Sequence, residues 1–313
     1  MAKHPLHLPK HAIPFMAGRK LATAFSLGLV VLSLVAIASR GLNTSLEFTG
    51  GEAIEFHFQQ AVSVDKLQAL LRDHQYQQSV VAYLGSDRDV IVRLPDLSDA
   101  DYNNLTQLIK TADANNPGEV WQADKIGPQV AGELRDQAVY AVLVSLALLL
   151  IYISFRFQFK FAVGAIAALA HDVIIVVGAF ALTGWEFSLS VFAAVLTVIG
   201  YSLNDTIVIF DRVRENLKRL RGLDAVTITN ISLTQTLERT LITVLTTLIV
   251  VLALFFSGGQ AFRGFTTALL IGLVVGTYSS IYIASNILLM MKVSRLDLLT
   301  PKDHDDMQLD PQR

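Results

Sequence analysis

Inside an apolar run long enough to cross a bilayer, the sequence places a titratable acid. The run is Ser190–Asn216, SVFAAVLTVIGYSLNDTIVIFDRVREN, with Asn204 and Asp205 in its last turns and the charged Asp211, Arg212, Arg214 and Glu215 after them. An ionised Asp at the centre of a membrane helix costs about 2.5 to 3.5 kcal/mol, less near an end, so an acid kept there points to function. The structural alternative is an Asp low enough to touch headgroup water. The apolar residues Ile207 to Phe210 that follow it weigh against that. On a helical projection Ala193, Thr197, Gly200, Tyr201 and Asn204 form one stripe beside Asp205. A small, polar stripe predicts contact with other helices rather than lipid.

Two further sites carry chemistry. His171 and Asp172 lie near the middle of another apolar run, with Gly164, Ala167 and Gly178 on the stripe of His171 and Ala165, Ala168 and Ala179 beside Asp172. Titratable groups at that depth are proton-relay candidates, or else a hydrogen-bonded pair that fixes helix register. Glu238 and Arg239 open the next span, at the same end as Asp205. A buried carboxyl without a counter-charge holds its proton and one beside a guanidinium releases it. A shift that separates Arg239 from Asp205 and then re-pairs them would therefore take up and release a proton; the alternative is that Arg239 only sets topology. Each charge crossing the membrane is worth about 2.3 kcal/mol per 100 mV.

These side chains need a frame of helices, and the composition supplies one. Of 313 residues, 52% are hydrophobic and 17% charged, which places the chain among membrane proteins. The net charge of −2 gives no basic surface for nucleic acid, and the absence of cysteine excludes disulfides, thiolate metal sites and Cys nucleophiles. Besides the Ser190 run, apolar segments occupy Leu21–Ser39, Ala138–Phe155, Phe161–Thr183, Leu241–Phe256 and Phe265–Met291, making six spans. The last contains Gly272 and Gly276 in GxxxG spacing, which suits close helix packing. The first follows a polar segment, 1–20, and is too long for the apolar core of a signal peptide, so it reads as an uncleaved anchor at 21–39. The remainder divides into a soluble domain at 40–137, spans two to six at 138–291 with a charged loop at 211–238, and a polar tail at 292–313, whose end from Lys302 reads as disordered.

Within 40–137 the periodicity predicts a strand over Ser45–Gln59, a helix over Val64–His74, a hairpin of Ser79–Leu84 with Asp89–Leu94, a helix over Asp99–Ala114 capped by Ser98, and a strand over Glu119–Ile126. The order βαββαβ predicts an α+β ferredoxin-like sandwich. It holds no catalytic constellation or phosphate loop, and reads as a binding or lever domain, or as a spacer. Basic residues crowd one side of the spans: Arg156 and Lys160, Arg212 to Arg221, and Lys292 and Arg295. The positive-inside rule then puts both termini in the cytoplasm and 40–137 outside, in the periplasm of a bacterium. Glu186, beside Trp185 between two spans, reads as interfacial.

The segments GLNTSLEFTGG (41–51), IGPQVAGEL (126–134), FRF with AVGAIAALAHD (155–172), IGYSLNDTIVIFDRVREN (199–216) and SLTQTLERTLIT (232–243) resemble the SecF family. The resemblance covers roughly 17–293. It implies half of a twelve-span transporter plan of the resistance, nodulation and division type, completed by SecD, and association with the SecYEG channel, often with YajC. It further implies that proton flow across the inner membrane drives the periplasmic domains to promote translocation and release of unfolded preproteins. Asp205 matches the family's essential transmembrane acid and Arg239 its important Arg, with Asn204, His171 and Asp172 also in family motifs. Glu47, Phe48, Gly50 and Gly51 match the entry motif of the soluble domain; Glu47 stands where the family usually has Asp. No enzymatic activity, metal or cofactor is expected beyond the proton gradient. Other classes remain: a small-molecule exporter of the same superfamily, for which one domain of this size is small; an aspartyl protease using Asp172 and Asp205, which lacks the usual Gly-rich signature; and a passive scaffold for SecD or the channel.

Overall fold

The computed structural model describes residues 12–298 apart from Asp96; the start of the polar N-terminal segment and the tail from residue 299 lie outside the described residues. Among those described, six helical segments are long and apolar enough to cross a membrane. The first, α1 (Arg19–Arg40), is entered by a tight turn at Phe15–Gly18. That turn is pinned to a later helix where the backbone N–H groups of Ile13 and Met16 donate to Thr234 and Asn230. After α1 the chain forms β1 (Asn43–Thr44), one helical turn α2 (Leu46–Thr49), and β2 (Gly51–His57). Then come α3 (Val64–Asp73), β3 (Val80–Tyr83), β4 (Asp89–Leu94), α4 (Asp99–Thr111) and β5 (Glu119–Ile126).

The four strands pair in the order β3-β4-β2-β5, all antiparallel, which is the ferredoxin-like sandwich. Ser63 and Ser98 cap α3 and α4 by accepting from Lys66 and Asp101 backbone N–H groups. Alternate residues of β2 and β4, among them Ile54, Phe56, Val90 and Val92, pack against Leu67, Leu71, Leu105 and Ile109 of these helices. The expected single strand over Ser45–Gln59 is corrected: Leu46–Thr49 is a helical turn. Gly50 and Gly51, at φ of 70° and 114°, then reverse the chain into β2. A Cβ on Gly51 would lie 2.2 Å from the Leu94 carbonyl oxygen, so only glycine brings β2 this close to β4.

The bundle continues with α5 (Pro128–Arg156), α6 (Phe159–Thr183), β6 (Glu186–Phe187), α7 (Leu189–Arg219), α8 (Ala225–Ser257) and α9 (Gly259–Ser279). The last span passes through a wide π turn at Ser280–Ala284 into α10 (Ser285–Met290). The expected loop over 211–238 is corrected as well. α7 runs to Arg219 and α8 begins at Ala225, capped by Asp224, leaving only a short turn. Val213 and Leu217 on α7, four apart, and Ile228 and Ile231 on α8, three apart, are buried at helical spacing, while Asn216 is fully buried and donates to Ser232 and Gln235 at 2.8 Å each. The charges ride the outer face in ion pairs, among them Arg212 with Glu215 and Arg156 with Asp211.

α9 lies against α7 at its glycines. A Cβ on Gly272 would fall 2.1 Å from Val198 Cγ2, and one on Gly276 3.1 Å from Ser202 Cβ. Gly272→Ala is expected to destabilise the purified protein by about 1 to 3 kcal/mol through overpacking. Thermal unfolding in detergent measures it, and adding Val198→Ala should return most of the loss.

Candidate functional site

Among the described residues, the interior of the bundle holds one carboxylate with no solvent exposure. Asp172, on α6, accepts three hydrogen bonds. Oδ1 receives His171 Nδ1–H at 2.9 Å, and Oδ2 receives Ser202 Oγ of α7 at 2.6 Å and Ser279 Oγ of α9 at 2.8 Å. With Nδ1 donating, His171 Nε2 is left buried and without a partner, and the imidazole lies 6.5 Å from the Tyr278 ring, roughly parallel to it. Tyr278 in turn donates to the Ala22 carbonyl at 2.8 Å, reaching α1. One turn along α7, Thr206 and Ser280 share a hydrogen bond of 2.8 Å at the start of the π turn. A polar seam therefore joins α6, α7 and α9 at the depth where the sequence placed His171 and Asp172. Ser202, Ser279, Ser280 and Thr206 were not singled out in the sequence; the signal available was a serine or threonine on the buried face of an apolar run.

Asp205 occupies a different environment. It is buried, and its Oδ2 has no hydrogen-bond partner. Arg239, exposed on α8, lies within electrostatic reach but forms no ion pair with it among the described residues. Asn204, next in sequence, is exposed, as are Ala193, Thr197 and Gly200. The expectation that this stripe meets neighbouring helices is corrected for the helices of this chain. The buried face of α7 is instead Val191, Ala194, Val195, Val198, Ser202, Asp205 and Thr206. Among the described residues, Tyr201 of the stripe reaches another helix, meeting Thr247 of α8 at 3.1 Å, while the Thr197 hydroxyl donates back to the Ala193 carbonyl within α7. The structure thus brings His171 and Asp172 together, keeps Asp205 apart from them on α7, and leaves Arg239 and Asn204 on the outer surface beside Asp205.

The motif Glu47, Phe48, Gly50 and Gly51 builds the joint between domain and bundle. β1 pairs in parallel with β6, matching Asn43 to Glu186 and Thr44 to Phe187. Ser45 N–H donates to the Phe187 carbonyl at 3.2 Å, and Phe48 packs 6.4 Å from the Phe187 ring. Glu47 accepts from the Ser45 hydroxyl. Arg93 of β4 forms an ion pair with Glu186 and donates to Asn43 Oδ1 at 3.2 Å. Arg93 was not anticipated as part of a site; the signal missed was an Arg at the end of a strand whose neighbours are apolar. Burial pushes the Glu186 carboxyl above its ordinary value, Arg93 pulls it down and Glu47 pushes it up again, with burial the largest effect.

Together these features define a multi-pass membrane protein whose helical bundle buries two separate carboxyls and carries a single α+β domain, jointed at its base, between its first two spans. Residues 106–294 match the family described as protein export membrane protein SecD/SecF, C-terminal. The chain is 44% identical over 291 residues to the protein translocase subunit SecF of Desulfurispirillum indicum, covering 90% of this chain and 93% of that one. It is also 44% identical over 293 residues to the SecF subunit of Pseudomonas aeruginosa, covering 94% and 96%. The crystal structure of the translocon-associated membrane protein SecDF from Thermus superposes with a TM-score of 0.83 at 41% identity, covering 92% of this chain and 40% of that longer one. The chain belongs to the SecD/SecF family of protein-export membrane proteins and takes the SecF role in protein translocation.

Asp172→Ala strands buried donors from Ser202 and His171, while Ser279 can fall back on the Gly276 carbonyl at 3.1 Å, and each buried polar group left unpaired costs about 1 to 3 kcal/mol, read as a lower unfolding temperature in detergent. Asp205→Asn removes no hydrogen bond from Oδ2 and should leave the unfolding temperature in detergent nearly unchanged. For Glu186, a carboxyl whose value is raised in the joint binds protons more readily there than when exposed. Acidification from neutrality toward the ordinary carboxylate range therefore stabilises the docked joint, and the gain is lost as pH rises through the raised value. Hydrogen exchange of the Ser45 amide should slow as pH falls, after correction for the intrinsic rate, and Glu186→Gln should abolish the dependence.

Proposed function

We propose that this chain works with a SecD subunit as a proton-driven motor of preprotein export, and that Asp205 is the group in this chain that takes up and releases the proton. The observation that carries the reading is the setting of Asp205: buried, unpaired at Oδ2, and flanked by an exposed guanidinium and an exposed small-residue stripe. Exposed polar and small residues on a membrane helix call for a protein neighbour rather than lipid. The likeness to SecDF chains, of which this chain covers 40% and 42%, supports SecD as that neighbour and a second half-bundle as its form. A helix from SecD on the α7 stripe would close Asp205 and Arg239 into a protein-lined cleft, where moving Arg239 toward or away from the carboxyl changes its hold on a proton.

Around that core the reading extends to the rest of the machinery. The complex joins the SecYEG channel, with YajC as a further partner, and acts on unfolded preproteins emerging from it. The basic residues beside the spans support cytoplasmic termini and a periplasmic α+β domain in the bacterial inner membrane. The domain then acts as a lever, moved through the β1–β6 joint. The chain catalyses no covalent chemistry and uses no cofactor, the proton gradient being its energy source.

The test replaces Asp205 by Asn, which keeps shape and removes the titratable charge. In membrane vesicles holding the variant with SecD, preprotein release should fall to the level seen without a proton gradient while assembly is normal. Gradient-dependent release at the full level would make Asp205 structural and put a passive scaffold in the motor's place.

A further inference from the structure

The basic residues at one end of the spans fall into two sets. Arg156 and Arg214 pair with Asp211, Arg212 and Arg219 with Glu215, and Lys160 with Asp297. Arg19 and Lys20, which open α1, make no ion pair among the described residues. The chain around them offers no counter-charge. Residues 1–46 contain neither Asp nor Glu, and none occurs between Glu238 and Asp297, whose carboxylate already serves Lys160 and Ser294.

The two cations stand at the mouth of a groove between α1 and α10. Arg19, Lys20, Ala24 and Leu27 form one wall and Leu289 and Met290 the other, with no carboxylate in the lining. Asn286, buried behind the groove, donates to Thr23 Oγ1 at 2.8 Å, and Thr23 donates to the Arg19 carbonyl at 2.8 Å, which ties the two helices together. Leu27 and Met290 are exposed, so no helix of this chain covers the opening.

Depth and charge select the occupant. From Arg19 to Leu27 α1 rises about 12 Å at 1.5 Å per residue, starting where the polar segment gives way to the apolar run. Half of a hydrocarbon core of roughly 30 Å is about 15 Å, so the groove stays within one leaflet, with its cations at headgroup level. Adjacent cations above an apolar cleft between membrane helices suit a phosphate above acyl chains. An ammonium headgroup would find no carboxylate to face, which favours a lipid of net negative charge over a zwitterionic one. The tail's Asp303, Asp305, Asp306 and Asp310 match the cations, but across 302–310 only Met307 and Leu309 are apolar, and burying the rest in the cleft would cost more than it returns.

We infer that the groove between α1 and α10 binds one anionic phospholipid of the leaflet at the start of α1. Its phosphate rests on Arg19 and Lys20, and an acyl chain lies over Ala24, Leu27 and Leu289. The lipid thereby clamps α1 to the span that carries Ser279 and the π turn.

Native mass spectrometry of the complex with its partner subunit, released from detergent after incubation with equal amounts of phosphatidylglycerol and phosphatidylethanolamine, tests this. The expected result is one phosphatidylglycerol held by the unaltered complex and lost from the Arg19→Gln, Lys20→Gln double variant. At that site phosphatidylglycerol is preferred about tenfold, and each single variant lowers the preference about threefold. Ala24→Trp, which fills the groove from an exposed position on α1, should remove the same lipid while the complex stays assembled. Equal retention of the two lipids, or retention unchanged in the double variant, overturns the site. Binding that arises only when the chain is shortened to residue 298 also overturns it, because the acidic tail then holds the cations. So does an Ala24→Cys variant that cross-links to another subunit in membranes, because a protein then covers the groove.

Discussion

Taking a carboxylate out of water costs several kcal/mol even after relaxation, and the cost is recovered only when every lone pair finds a donor. At Asp172 the donors come from His171, Ser202 and Ser279, two of them on other helices. Each helix must hold its register for the cost to be met, and this is what the bundle depends on. The glycines follow from it. Gly276 lets α9 come near enough for Ser279 to reach Asp172, since its own added Cβ would meet Ser202 and lie 3.5 Å from Asp172 Oδ2. Gly178 lets α1 pack closely on α6, where a Cβ would fall 2.2 Å from Ser33 Cβ. One satisfied acid thus ties three spans together, with α1 packed on the first of them.

Asp205 is informative by contrast with it. The same helix supplies Ser202 to the satisfied acid and, three residues on, an acid whose Oδ2 nothing among the described residues satisfies. A buried polar atom left without a partner calls for a reason, and proton exchange supplies one: a group that must change charge cannot be tied down in one charge state. On the proposed reading, the structural acid and the working acid differ in their hydrogen bonds rather than in depth. The joint at Glu186 and Arg93 ties the α+β domain to the bundle through β6, which directly precedes α7, and β1; on the proposed reading it is the path by which a shift of α7 reaches the domain.

Much of this was legible in the sequence, and the gaps have physical reasons. The six spans were readable because hydrocarbon demands long apolar runs, and the sandwich because its strands and helices keep their periods. The bend at Leu46–Thr49 was hidden because Leu46, Phe48 and Ile54 suit a strand equally well, and only the positive φ angles of Gly50 and Gly51 show where the chain turns. The segment 211–238 read as a loop because its charges outweighed Val213 with Leu217 and Ile228 with Ile231, pairs whose helical spacing carries the real signal. Asp205, Arg239, His171 and Asp172 stood out as titratable groups in or beside apolar runs. Their hydrogen-bond partners did not, because Ser279 lies 107 residues from Asp172 along the chain and meets it only when α9 folds back. The α7 stripe announced a close neighbour, but a pattern of small residues cannot say whether that neighbour belongs to the same chain.

The central claim is that Asp205 carries a proton in the assembled complex while Asp172 serves structure. Infrared difference spectroscopy of the complex across a pH titration tests it most directly, because a protonated carboxyl buried away from water gives its own C=O band. The account predicts a band that titrates in the unaltered protein, persists in Asp172→Asn and is missing in Asp205→Asn. A titrating band that survives in Asp205→Asn and vanishes in Asp172→Asn would contradict it and move the working acid to the polar seam.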